Sequence, residues 1–259
     1  MNTLARTGPA YQPSRAISAK IRRRLVQYRL PNRTKLQLDR PVISITFDDV
    51  PKSAFENALP LMEEKGWLST LYIATGLLGS DTHMGRIMTR DEVYSAYERG
   101  HEIGAHSHLH RDYARMEHEA MLADNRRSLQ IFDQIDIPKP RAFAWPYGET
   151  TRGGKAAMAE QYKSLRGIRG KTYRGHVDLN QVGSYKLFSS EMSEVETAIS
   201  ALEKKPGWLT LFTHDVCDTP SDWGCTTAEF EHVLQLIEAS GAEVLPVSRC
   251  IEKYSDVQT

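Results

Sequence analysis

The sequence predicts an α/β protein whose parallel sheet is covered by helices, most simply a closed or nearly closed barrel. Two observations carry this. Short apolar, strand-like runs alternate with amphipathic helical stretches from Pro41 to the end of the chain. Four of the runs end in polar insertions: Thr46-Phe47-Asp48-Asp49, Gly104 to His110, Ala144 to Gly148, and Leu209 to His214. Polar residues gathered at the ends of successive strands are what a barrel needs to assemble one site from distant pieces.

Each element has its own signal. Val42-Ile43-Ser44-Ile45 reads as a buried strand. A helical stretch follows with Phe55, Leu59 and Met62 on one face and Gly66 as its stop, and Pro60 must kink it or mark a late start. Leu71 to Ala74 is a second strand. Thr89-Arg90-Asp91-Glu92 forms a capping box that opens a helix ended by Gly100. A long helix is expected over 116–132, stopping before Pro138 and Pro140, and a strand over 141–144. Further strands are expected near 164–168, 185–188, 209–213 and 243–247. Helices fit 153–162, 194–204 and 226–240, the last capped by Thr226 with Glu229.

Composition bounds the class. The 259 residues suffice for one large barrel, and the formal net charge is zero. The balance hides an asymmetry, because residues 1–40 hold ten Arg or Lys and one acid, Asp39. We therefore expect two parts, a basic N-terminal extension over 1–40 and a barrel over 41–259. Within the extension, Ile17, Ile21, Leu25 and Tyr28 recur among Lys20, Arg22, Arg23, Arg24 and Arg29, the pattern of a basic amphipathic helix over 15–30. Such a helix either packs on the barrel with a solvated basic face or makes peripheral contact with an anionic membrane. Nucleic acid is disfavoured as a partner, since no aromatic or glycine-rich binding pattern accompanies the charge. No apolar run reaches the length of a membrane span, and no secretory signal is evident. Cys217, Cys225 and Cys250 have no metal-type spacing, and an odd number leaves one unpaired in any disulfide scheme. Reduced thiols in the cytoplasm, at the inner face of the membrane if the helix binds there, are the simplest reading. The sequence leaves open whether the chain forms a homo-oligomer.

The strand-end residues carry the chemistry. Adjacent carboxylates on an extended backbone point in different directions, so Asp48 and Asp49 can take different parts. His106 and His110 have a spacing common in metal sites, although three histidines in one loop also fit a His-rich surface loop, and His108 has no assigned role. With one carboxylate, the pair would leave coordination positions open for water and substrate. Trp145 and Trp223 could stack on a sugar ring, with barrel packing nearly as good a reading for Trp145.

Taken together, Thr46-Phe47-Asp48-Asp49, His106-Ser107-x-x-His110, Pro146-Tyr147-Gly148 and Leu209-x-Leu211-x-x-His214 resemble the motifs of the polysaccharide deacetylase (NodB-homology) family, over about residues 42–250. The resemblance implies a distorted (β/α)7 barrel and a metal-dependent deacetylase of polysaccharide or lipid-linked oligosaccharide. It implies that Asp48 is the general base, that Asp49, His106 and His110 hold a divalent metal, usually Zn2+, and that His214 is the general acid. It also implies that the Tyr147 N–H helps hold the oxyanion. In size and arrangement the chain is similar to cytoplasmic deacetylases of bacterial adhesive exopolysaccharides such as holdfast. Two departures stand out. Ala144 occupies the position where many members carry an arginine that braces the base, and Arg166 or Arg169 is expected to supply that charge instead. The family's Asp-rich fourth motif is not recognisable, with Asp178 or Asp215 as the candidates to tune His214.

Overall fold

A computed structural model gives the architecture and describes residues 25, 26 and 28–256. In chain order the strands are β1 (Arg33–Lys35), β2 (Val42–Asp48), β3 (Thr70–Ile73), β4 (Asp81–Thr82), β5 (Gly85–Arg86), β6 (Glu102–Ala105), β7 (Ala142–Ala144), β8 (Ser164–Arg166), β9 (His176–Asp178), β10 (Tyr185–Lys186), β11 (Trp208–Thr213) and β12 (Glu243–Val244). The α-helices are α1 (Leu59–Glu63), α2 (Arg90–Glu98), α3 (His118–Gln134), α4 (Arg152–Ala159), α5 (Met192–Lys204), α6 (Thr227–Ala239) and α7 (Val247–Tyr254).

Seven strands form the central sheet in the order β10-β11-β2-β3-β6-β7-β8, every neighbouring pair parallel. β12 adds a short parallel pairing to the start of β2. The sheet curls back on itself, because Val182, just before β10, bridges Arg166 at the other edge and donates its N–H to the Leu165 carbonyl. This is the distorted (β/α)7 barrel that the resemblance implies. Every residue of β2, β3 and β11 is buried, as expected of parallel strands covered on both faces. Some of their hydroxyls are paired inside the sheet: Thr46 donates to the Leu211 carbonyl, and Ser44 accepts from the Trp208 indole N–H.

The helix starts follow their local chemistry. Thr89 and Glu92 form the expected capping box of α2, and Thr226 and Glu229 that of α6. Pro60 is accommodated by a wider turn. Ala54–Ala58 is π-helical immediately before α1, which relaxes the demand for the N–H that Pro60 lacks. The last expected strand, 243–247, is only two residues long. Pro246 instead opens α7, whose first free N–H groups are taken by side chains: Val247 N–H by Thr70 Oγ1 and Ser248 N–H by Glu102.

The boundary at residue 40 needs correction. β1 pairs antiparallel with β9, and Leu36 is buried in a cluster with Val42, Val177, Leu179, Trp208 and Tyr254. The barrel fold therefore takes in residues from Arg33 onward. This cluster plugs the end where β2 and β11 begin. The polar insertions all lie at the opposite end, where the strands finish. Of the expected helix over 15–30, residues 15–24 and 27 lie outside the described residues; Leu25, Tyr28 and Leu30 are exposed.

Candidate active site

β2 delivers the two acids in different backbone conformations. Asp48 closes the strand, whereas Asp49 and Val50 adopt left-handed φ of 56° and 51°. Positive φ is unfavourable for any side chain and worse for a β-branched one. Ser107, His110 and Tyr147 share it, so five of the seven such non-glycine residues among those described lie in three loops at this end of the barrel. Backbone strain concentrated in this way is characteristic of functional sites.

Asp48 is buried and accepts a 2.5 Å hydrogen bond from Arg166 Nη2. Burial pushes its carboxyl pKa up, but the positive charge of Arg166, helped by His106 and His214, outweighs it and holds the group below the usual carboxylate range. The guanidinium is itself buried, 4.7 Å from the Phe212 ring and 5.1 Å from that of Tyr72. Arg166 thus occupies the bracing role left vacant at Ala144. Arg169, the other arginine expected for that charge, is exposed three residues further on and does not supply it.

One ligand atom from each of Asp49, His106 and His110 lies within 4.8 Å of the others, and His110 Nε2 is 3.5 Å from Asp49 Oδ2. Three observations test whether a divalent metal fits. Asp49 is buried, and its Oδ1 has no hydrogen-bond partner. Burial raises its pKa, so the carboxylate gains from an adjacent cation. His106 Nδ1–H donates to the Ala144 carbonyl at 2.8 Å, which leaves the lone pair on Nε2, the tautomer that ligates metals. Burial also brings the His106 pKa down to about 4, so the ring is neutral as a ligand must be. The triad fits a metal.

The histidine loop is held from outside by a residue that sequence reasoning missed. Asp124, buried on α3, accepts from the N–H of His108 at 2.8 Å, the N–H of Leu109 at 3.0 Å and the Tyr113 hydroxyl at 2.8 Å. Its sequence signal was an acid on the buried face of α3, in step with Met121, Ser128 and Phe132. His108 is likewise structural, since Thr75 Oγ1 meets its Nδ1 at 3.0 Å and Gly76 N–H donates to its carbonyl. Tyr147 lies over the site with its ring 4.7 Å from that of His110.

His214 projects from the end of β11, its ring beside Phe188 and Phe212. Its Nδ1–H donates to the Trp223 carbonyl at 3.0 Å, so Nε2 carries the other role. Neither expected acid orients it. Asp215 accepts from Ser221 N–H and Oγ within its own loop, and Asp178 accepts from the N–H groups of Asn32 and Asn180. The next residue in an extended segment points away, which is why Asp215 turns to the loop. Trp223 is half-buried, its ring against His83. Trp145 requires correction as a sugar-stacking residue. It is 1% exposed and packs edge-to-face on Phe143 at 5.0 Å inside the barrel wall. Cys225 is buried, which pushes its thiol up to about 12 and leaves it inert.

The fold and site define a barrel with a carboxylate–dihistidine triad, a braced second carboxylate and an opposing histidine. The family model for polysaccharide deacetylases matches residues 35–163, and the chain belongs to that family. Solved structures of similar fold include a family 4 carbohydrate esterase from Streptomyces lividans in complex with acetate, 15% identical, with a TM-score of 0.58 over 85% of this chain and 98% of that one. Another is the T48 deacetylase with substrate, 14% identical, with a TM-score of 0.57 over 83% and 92%. A pseudoenzyme of the same esterase family from Bacillus anthracis is also similar, 11% identical, with a TM-score of 0.57 over 82% and 66%. Among curated proteins none matches the sequence.

Proposed function

We propose that the chain is a metal-dependent N-deacetylase acting on N-acetylglucosamine-like sugars of a bacterial exopolysaccharide or its lipid-linked precursor. The observation that carries this reading is the contrast between adjacent acids: Asp48 is kept ionised by Arg166, while the buried carboxyl of Asp49 groups with the ring nitrogens of His106 and His110. A divalent metal held by Asp49, His106 and His110, with zinc the expected ion, supplies when bound the positive charge that polarises a carbonyl and acidifies water. Asp48 accepts the proton of the attacking water. The Tyr147 main-chain N–H donates to the oxygen that becomes negative as the carbonyl carbon turns tetrahedral. His214 protonates the departing nitrogen through Nε2, its Nδ1–H being committed to Trp223. Acetate and the free amine result.

The test is acetate release from N-acetylglucosamine oligomers by metal-stripped and zinc-restored protein, beside Asp48→Ala. Zinc-dependent release that the variant loses supports the reading, whereas formate released from an N-formyl sugar alone would redirect it to deformylation. A non-catalytic glycan-binding barrel is the alternative if nothing braces Asp48, and the Arg166–Asp48 pair argues against it.

The same reading holds the enzyme at the inner face of the cytoplasmic membrane through residues 15–30. Leu25, Tyr28 and Leu30 are exposed beside Arg29, the mixture that suits an anionic lipid surface. Among the described residues no helix is long and apolar enough to cross a membrane, so such contact is peripheral. Vesicles of anionic lipid should float the full chain and lose a version lacking residues 1–30, which keeps β1. Equal recovery of both would sink the idea.

A further inference from the structure

We propose that His83, at the tip of the β4–β5 hairpin, is a specificity-determining residue that with Trp223 forms one wall of the sugar-binding mouth. This rests on the deacetylase reading. The hairpin is built on the backbone that carries the catalytic-end acids. Met88 N–H donates to the Val50 carbonyl at 3.2 Å, Ile87 bridges Pro51, and Gly79 N–H donates to the Met88 carbonyl. Met84 is buried beneath the tip, so the turn has a fixed seat. His83 itself is exposed, and its imidazole meets the Trp223 indole edge-to-face, centroids 4.9 Å apart at 75°.

Trp223 is tied to the other side of the site. Its carbonyl takes the His214 Nδ1–H, and its N–H donates to Ser221, which Asp215 holds. The His83–Trp223 contact therefore joins the loop after β3, which is hydrogen-bonded to the backbone just beyond Asp49, to the loop after β11. An indole in a polar loop needs a brace to hold its plane, and the edge-on imidazole provides one. The braced plane suits the C–H face of a pyranose, and the imidazole nitrogens can hydrogen-bond a sugar hydroxyl. The wall binds sugar without touching the reacting carbon, so its loss should appear in KM rather than kcat.

The experiment compares wild type, His83→Ala, His83→Phe, Trp223→Ala and the double alanine variant of zinc-loaded full-length protein on N-acetylglucosamine tetramer. Tetramer binding to each is measured in parallel in an Asp48→Asn background. We expect His83→Ala to raise KM and Kd on the order of five- to tenfold at similar kcat. His83→Phe should recover most of the loss by restoring the edge contact. The double variant should bind little worse than Trp223→Ala alone, since the two residues act as one. A His83→Ala Kd within twofold of wild type, or fully additive losses, would overturn the proposal. Acetate release by wild type reports separately on the deacetylase reading, because the binding arm needs no turnover.

Discussion

Arg166, from β8, donates to Asp48, from β2, across the barrel interior, a contact between residues 118 apart in sequence. Two buried charges are cheap only as a pair, and the removal of one partner from such a pair typically costs about 3–5 kcal/mol. The folded-state pKa of Asp48 lies below its unfolded value. The ionised carboxylate therefore contributes stability above the unfolded pKa, and this is lost as pH falls through the folded value. In Arg166→Met the push of burial is no longer outweighed by the guanidinium. Asp48 should then titrate higher, and the acidic limb of the pH–rate profile should move upward, with kcat/KM at neutral pH lower by roughly 10²-fold or more. An unmoved acidic limb would show that Asp48 is not the base.

Asp124 satisfies two backbone N–H groups of the histidine loop and the Tyr113 hydroxyl. Asp124→Ala leaves all three without their acceptor and should cost about 3 kcal/mol in denaturant unfolding. By loosening the loop it should also weaken zinc affinity roughly 10- to 100-fold in chelator competition. Unchanged affinity would confine Asp124 to stability alone.

Gly104 admits the Tyr72 ring, and a Cβ there would lie 2.5 Å and 2.7 Å from two ring carbons. Tyr72 in turn flanks the Arg166 guanidinium. Gly104→Ala should therefore destabilise by about 1–3 kcal/mol through overpacking and lower kcat by displacing the brace. Adding Tyr72→Leu should recover part of the melting temperature.

The triad should register as a ligand-dependent stability. With zinc at 100 times its dissociation constant, wild type should gain about 2.7 kcal/mol, read as a raised melting temperature that a chelator reverses. Asp49→Ala and His110→Ala should show no such gain, whereas His214→Ala should keep it.

Much of this architecture was legible where one residue type serves one local need. The Thr89 and Thr226 capping boxes read correctly because the reciprocal bonds lie within four residues. The four strand-end insertions read correctly because polar residues interrupt buried runs. What failed depended on register across the barrel. Parallel strands are buried on both faces, so apolar alternation could not say that Trp145 enters the wall. Nor could spacing alone separate Arg166, the last residue of β8, from Arg169, since only the pairing of seven strands decides which faces Asp48. β1 escaped because its partner, β9, lies some 140 residues away.

The N-terminal segment joins the barrel at its plugged end, where the Asn180 side chain donates to the Leu30 carbonyl and Leu179 N–H to that of Asn32. The acids and histidines open at the other end. A lipid surface that held the chain close to Leu30 would face the plugged end, with the reactive mouth turned outward by roughly the height of the barrel, on the order of 15 Å for a tilted strand of the length of β11. A single sugar on a lipid carrier would sit out of reach, while a growing glycan of several units would arrive at the mouth end-on. Vesicle-bound enzyme should then deacetylate long chains and spare short ones on the same lipid, a molecular ruler set by the height of the barrel.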